Sequence, residues 1–147
     1  MQHVLVPIPI GVGPQYHPKP AIHSPCSQAP LRTGARVHVE LFANRRVVIV
    51  PARIGVGPHC RARLWTLDPT GVVRVEGRAM LGDLFAVWGQ RLSRLRLLGF
   101  RGAVRVYRNG VAWRGDPRRL PLRDRDELVL EVGAFVPPHR SYRFPRR

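Results

Sequence analysis

Apolar and polar positions first alternate strictly in the run from Val37 to Leu41, where His38 and Glu40 are the polar members. This period of two is typical of a strand with one buried face. After a short turn the chain continues as a second apolar run, Val47 to Val50. The two runs predict a β-hairpin over residues 37–54.

Further extended runs lie on both sides of two turn signals. Residues 64–76 read as two short strands around Asp68-Pro69-Thr70-Gly71, and Asn109-Gly110 separates another pair. A last alternating run predicts a closing strand and consists of Leu128, Leu130 and Val132.

The period changes to that of a helix only once, over residues 80–92. One apolar stripe at the spacing i, i+3, i+4, i+7 and i+11 is formed by Leu81, Leu84, Phe85, Trp88 and Leu92. We expect the middle of this stripe, including Trp88, to be buried. The order of elements predicts an α+β fold, a β-grasp-like mixed sheet crossed by one helix, and this analogy alone says little about function.

Proline and charge divide the chain further. Seven of the 15 prolines precede position 31, which predicts a Pro-rich extended arm over 1–35. We expect a single α+β domain over 36–136 and a basic, Arg-rich tail over 137–147. At 147 residues, 44% of them hydrophobic, the chain has room for one core.

The chain is strongly basic, with 25 Lys and Arg against 9 acids and a net charge of +16. Contacts with phosphate groups would explain this charge, and so would arginine used as an ordinary solvated surface residue. The arginines are scattered, without a long basic block or interleaved aromatic residues, and this favours the second explanation. The candidates for nucleic-acid contacts are three adjacent pairs: Arg45 and Arg46, Arg118 and Arg119, and Arg146 and Arg147.

Catalytic patterns are missing from the sequence. None of the serines lies in a Gly-x-Ser-x-Gly elbow, and His59 beside Cys60 is poorly placed to act as its base. The acids Asp124, Asp126 and Glu127 lie in an arginine-rich turn, which is typical of a solvated charge network. We therefore expect neither an enzyme nor a cofactor.

Much of the chain, from about residue 26 to 133, resembles a group of uncharacterised bacterial proteins that are mostly extracytoplasmic and common in actinobacteria. The resemblance is carried by His38, Val50–Val56, Cys60, Leu64–Glu76, Leu81–Leu92, Val106–Gly110, Gly115–Arg118 and Glu127–Gly133. It implies a location and a shape rather than a reaction.

The group's His-Thr-His-Asp segment would suit a metal ion, but here both histidines are replaced, by Trp65 and Leu67. The remaining candidate ligands are His38, His59 and Asp68. Because a transition metal prefers imidazole or thiolate ligands, we expect no stoichiometric zinc or copper.

The chain has two cysteines, Cys26 and Cys60. A widely spaced pair fits a disulfide better than a redox Cys-x-x-Cys motif, and the resembling group has cysteines at both positions. The alternative is two unpaired thiols in a cytosolic protein.

Taken together, these features predict a secreted or extracytoplasmic, non-enzymatic binding or structural module without a membrane span. Its partner would be an anionic polymer, a protein or an envelope component. No signal peptide is visible, which would make the protein cytoplasmic if the start is correct. One alternative is an intracellular protein bound to nucleic acid through Arg–phosphate contacts, with weak and sequence-indifferent affinity. Another is a degenerate metal-site protein or an enzyme.

Overall fold

The structure is a computed structural model and describes residues 34–146. Within this range the chain is a mixed α+β protein with one α-helix, as the periodicity predicts. The strands are β1 (Ala35–Ala43), β2 (Arg46–Val48), β3 (Leu64–Trp65), β4 (Val72–Val75), β5 (Leu92–Ser93), β6 (Arg96–Leu97), β7 (Phe100–Arg101), β8 (Val104–Arg108), β9 (Val111–Trp113) and β10 (Glu127–Val132). The helix α1 spans Leu81–Trp88, and one turn of 3-10 helix spans Pro117–Arg119.

Seven strands form a mixed sheet in the order β3-β4-β1-β10-β8-β9, and β2 also pairs with β1. The central strands β1 and β10 are parallel, and the other neighbours in this sheet are antiparallel. Strands β5, β6 and β7 form a separate small antiparallel sheet.

The hairpin predicted over residues 37–54 is only partly correct. β2 is three residues long and pairs with the end of β1, whereas β4 pairs with the first half of β1. Beyond β2 the chain turns, and Arg53 and Gly55 adopt φ values of 69° and 72°. Pro51 has no N–H group to donate, so it cannot extend an antiparallel ladder at this point.

Helix α1 buries the predicted stripe but is shorter than predicted. Leu84, Phe85 and Trp88 are buried, which confirms the expected core positions. The helix ends because Gly89 adopts the left-handed conformation at φ 80°, and its N–H donates to the carbonyls of Phe85 and Ala86. Leu92 remains buried, but it lies in β5 and not in a third helical turn.

The Asn109-Gly110 hairpin is confirmed. Both residues have positive φ, 51° and 83°, as a two-residue turn between twisted strands requires, and β8 pairs with β9 across it. The turn also fixes the start of β10, since the Glu127 N–H donates to Asn109 Oδ1 at 2.8 Å.

The prediction that β1 exposes its polar face is wrong, because Arg36 and His38 are buried. The segment that follows residue 136 covers them. The ring of Tyr142 stacks on His38 with centroids 3.6 Å apart, and the ring of Phe144 lies 5.3 Å from the Arg36 guanidinium carbon. Arg36 Nη1 also donates to the Pro145 carbonyl at 2.7 Å. Residues 1–33 of the predicted arm lie outside the described residues. In the part of the chain from 34 to 146, no helix is long and apolar enough to cross a membrane.

Candidate functional site

A cleft of about 940 Å³ lies between α1 and the small sheet formed by β5, β6 and β7. Its lining includes Phe85 and Ala86 of the helix. Four arginines line it, namely Arg91, Arg96, Arg101 and Arg118. No Asp or Glu is among the described residues that line this cleft. The cleft is therefore a concentrated positive surface on an already basic protein.

The register of the small sheet brings two of these arginines together. Arg96 on β6 is the direct cross-strand partner of Arg101 on β7, and the adjacent pair joins Leu97 to Phe100. Like charges directly opposite each other destabilise an antiparallel pair. The register therefore places two like charges on neighbouring strands, and an anion bound between them would reduce their repulsion.

Arg118 is oriented on the cleft wall by its own carboxylate partner. Its Nη2 donates to Asp116 Oδ2 at 3.0 Å and its Nε to Oδ1 at 3.2 Å. These bonds lower the pKa of Asp116 and raise the pKa of Arg118. Within residues 34–146, by contrast, no ion pair involves Arg91, Arg96 or Arg101. Their charge is available to a ligand.

A second cluster of polar groups, the His38 cluster, consists of His38, Glu40, Glu127 and His139. His38 Nδ1 lies 3.0 and 3.2 Å from the two carboxylate oxygens of Glu127, and 3.8 Å from Glu40 Oε1. His139 Nδ1 lies 2.8 Å from Glu40 Oε1. The cluster borders a pocket of about 550 Å³, whose lining also includes Tyr142.

Two groups of this cluster have shifted acid–base properties. Glu127 is fully buried, and this desolvation raises the pKa of its carboxyl group although His38 and its hydrogen bond act in the opposite direction. The hydrogen bond with Glu40 raises the pKa of His139, whose side chain is otherwise largely exposed. The prediction of a solvated network is therefore wrong for Glu127 and for Asp126, which are both buried.

The structure separates the three metal-ligand candidates drawn from the sequence. His38 lies in the cluster just described, whereas His59 is exposed in the loop after β2. Asp68 instead accepts a hydrogen bond from the Thr70 N–H at 3.2 Å. Trp65, which replaces a histidine of the resembling group, is fully buried, with the Arg61 guanidinium carbon 4.1 Å from its ring centroid.

The adjacent arginine pairs lie on three different elements. Arg45 and Arg46 are exposed at the turn between β1 and β2, and Arg118 and Arg119 occupy the 3-10 turn. Arg146 is exposed near the end of the tail, and Arg147 lies outside the described residues. Of these candidates, Arg118 alone is among the lining residues of the cleft.

The expectation that the arginines are an ordinary solvated surface fails at two positions, because Arg36 and Arg61 are buried. Cys60 is half-buried and is not a free thiol. Cys26 lies outside the described residues, so the Cys26–Cys60 disulfide stays a prediction.

No protein-family model, curated protein or solved structure matches the chain.

Proposed function

We propose that the protein is a non-enzymatic binding module that holds an anionic polymer in the cleft between α1 and the small sheet. The observation that supports this most strongly is the cross-strand pair of Arg96 and Arg101 beside Arg91, in a cleft without a carboxylate among its described lining residues. A guanidinium group can donate two parallel hydrogen bonds to a phosphate or carboxylate, so opposed arginines suit repeated anionic groups.

The binding surface favours a polymer of phosphate or carboxylate groups over single-stranded nucleic acid. Proteins that hold single strands stack the bases on accessible aromatic rings. Among the described residues that line the cleft the only aromatic one is Phe85, and its side chain is buried in the core. Nucleic acid would then bind only through its backbone, weakly and without sequence preference.

The proposal includes a β-grasp-like architecture and an extracytoplasmic location. The first is supported by the parallel central strands β1 and β10, with β4 on one side and the β8–β9 hairpin on the other. The second rests on the resemblance and on the proposed Cys26–Cys60 disulfide. An anionic component of the cell envelope would then be within reach of the cleft.

The cleft proposal predicts a large loss of affinity in the triple variant Arg91→Gln, Arg96→Gln and Arg101→Gln. Each replacement removes a charge-assisted contact, so we expect affinity for fluorescently labelled inorganic polyphosphate to fall at least about tenfold. The slope of log K against log salt should decrease by about three, one for each lost contact. Fluorescence anisotropy at several salt concentrations measures both quantities.

A charge-matched control separates the cleft from the general basic surface. The variant Arg45→Gln, Arg78→Gln and Arg123→Gln removes the same charge from exposed positions elsewhere. We expect its polyphosphate affinity to fall less than about threefold, because separated surface charges are screened at physiological salt. Equal losses in the two triple variants would refute a cleft site. Tighter binding of single-stranded DNA than of polyphosphate would favour the nucleic-acid alternative.

A further inference from the structure

We propose that His38, Glu40 and Glu127 form a binding site for a divalent transition-metal ion, with His139 of the C-terminal segment as a fourth ligand. This site is separate from the arginine-lined cleft and does not depend on the proposed function. It also reverses the expectation of no stoichiometric zinc, for which the candidate ligands were His38, His59 and Asp68; only His38 belongs to both sets.

Strand geometry explains why these side chains meet. His38 and Glu40 are two residues apart on β1, so they point to the same face of the sheet. Glu127 is the direct partner of His38 in the parallel pairing of β1 with β10. The three side chains therefore come from the two central strands of the sheet, β1 and β10.

The distances suit a metal ion. One ligand atom from each of His38, Glu40 and Glu127 can be chosen so that all three lie within 4.8 Å of one another. Bonds of zinc to nitrogen and oxygen are about 2.0–2.2 Å long, so neighbouring ligand atoms lie roughly 3.2–3.6 Å apart. The observed separations of 3.0 Å from His38 to Glu127 and 3.8 Å from His38 to Glu40 bracket that range.

The contacts of His38 leave room for an ion between its Nδ1 atom and the Glu127 carboxylate. Nε2 lies 2.8 Å from the carbonyl oxygen of Thr70, which can only accept, so Nε2 carries a hydrogen. In the neutral ring Nδ1 then carries a lone pair, which would face the carboxylate oxygens of Glu127. A proton or a metal ion must lie between them. A metal ion also neutralises Glu40 and leaves the Nε2 contact with the backbone carbonyl, which is the usual outer contact of a ligating histidine.

The surroundings of the site favour a fixed ligand geometry. The Tyr142 ring lies parallel to the His38 ring, with 5° between the planes, and restrains its rotation. His139, three residues earlier, is outside the group of three whose ligand atoms all lie within 4.8 Å of one another, but its Nδ1 contacts the same Glu40 oxygen that lies near His38. Imidazole ligands favour zinc-like ions over calcium or magnesium, which prefer oxygen alone. An ion held in this way would fasten the C-terminal segment to the sheet.

Calorimetric titration of untagged, chelator-treated protein with zinc chloride tests the proposal. We expect one zinc ion per chain, checked by elemental analysis after dialysis. His139→Ala and Glu40→Gln should each weaken binding at least about tenfold, which is the scale on which even outer contacts of metal sites act. Circular dichroism establishes that both variants fold.

Two control variants locate the ion. His59→Ala removes an exposed histidine elsewhere, and the combined variant His3→Asn, His17→Asn and His23→Asn removes the histidines that precede the described residues. Both should bind zinc like the parent chain. No binding by the parent, unchanged affinity in His139→Ala or Glu40→Gln, or loss of zinc from a control variant would overturn the proposal.

Proteolysis gives a second readout that does not measure affinity. Zinc should slow tryptic cleavage after Arg140 and Arg143 in the parent chain, because a ligated His139 holds this segment on the sheet. The same concentration of zinc should leave the cleavage rate of His139→Ala unchanged. Cleavage of the parent chain that is equally fast with and without zinc would contradict the fourth ligand and the proposed fastening of the segment.

Discussion

Replacing Trp88 with alanine is expected to lower the free energy of unfolding by about 3–5 kcal/mol. Trp88 is 2% exposed at the end of α1, and its ring centroid lies 5.6 Å from that of Phe85. Truncation removes the largest apolar side chain of the helix and leaves a cavity that neighbouring side chains fill only partly. Urea denaturation followed by far-ultraviolet circular dichroism measures the change.

The matched control is Val111→Ala on β9, whose parent side chain is 70% exposed. It should change the free energy of unfolding by less than about 0.5 kcal/mol, as is usual for exposed positions. A loss below about 1 kcal/mol for Trp88→Ala would mean that α1 does not pack on the sheet as described.

The second large loss in the free energy of unfolding is expected for Arg105→Ala. Glu131 is fully buried on β10, and Arg105 Nε donates to its Oε1 at 3.1 Å. Without Arg105 this carboxylate keeps only the Val136 N–H, at 3.2 Å, among its donors within the described residues. Leaving a buried charge without its partner costs about 3 kcal/mol or more, which urea denaturation will detect.

A double variant distinguishes the cost of an unpaired buried charge from simple loss of packing. In Arg105→Leu with Glu131→Leu neither charge remains, so we expect this protein to unfold with a higher free energy than Arg105→Ala. If the double variant is the less stable of the two, the Arg105–Glu131 ion pair itself stabilises the fold. The loss in Arg105→Ala would then not come from leaving the buried Glu131 charge unpaired.

The elements that were predictable from the sequence are those decided by neighbours along the chain. The helical stripe that contains Trp88 and the turn at Asn109-Gly110 both depend on local geometry. The helix was predicted too long because Leu92 continues the apolar spacing, although Gly89 already stops the helix. Where the apolar spacing continues past a capping glycine, the glycine and not the spacing determines where the helix ends.

Burial of the second face of β1 was not predictable in this way. Tyr142 covers His38 from about 100 positions further along the chain, and alternation within β1 contains no signal for it. The same applies to Glu127, which was read as part of a solvated turn. Its burial depends on the parallel pairing of β10 with β1, a long-range contact.

The arginine-lined cleft was missed for a different reason. Strands β6 and β7 are only two residues long, too short for any period to be visible. The sequence directed attention to adjacent pairs such as Arg118 and Arg119, whereas the other three arginines of the cleft, Arg91, Arg96 and Arg101, stand singly in the sequence. A search for like-charged residues at cross-strand distance in short meanders could have indicated Arg96 and Arg101.

Nuclear magnetic resonance of the arginine side chains tests most directly whether an anionic polymer binds in the arginine-lined cleft. Uniformly ¹⁵N-labelled protein would be titrated with inorganic polyphosphate while the Nε–H signals are recorded. Binding in the cleft predicts that the largest saturable shifts belong to Arg91, Arg96 and Arg101. Shifts of equal size at the exposed arginines 45, 78 and 123 would contradict it and show that the anion binds over the whole basic surface.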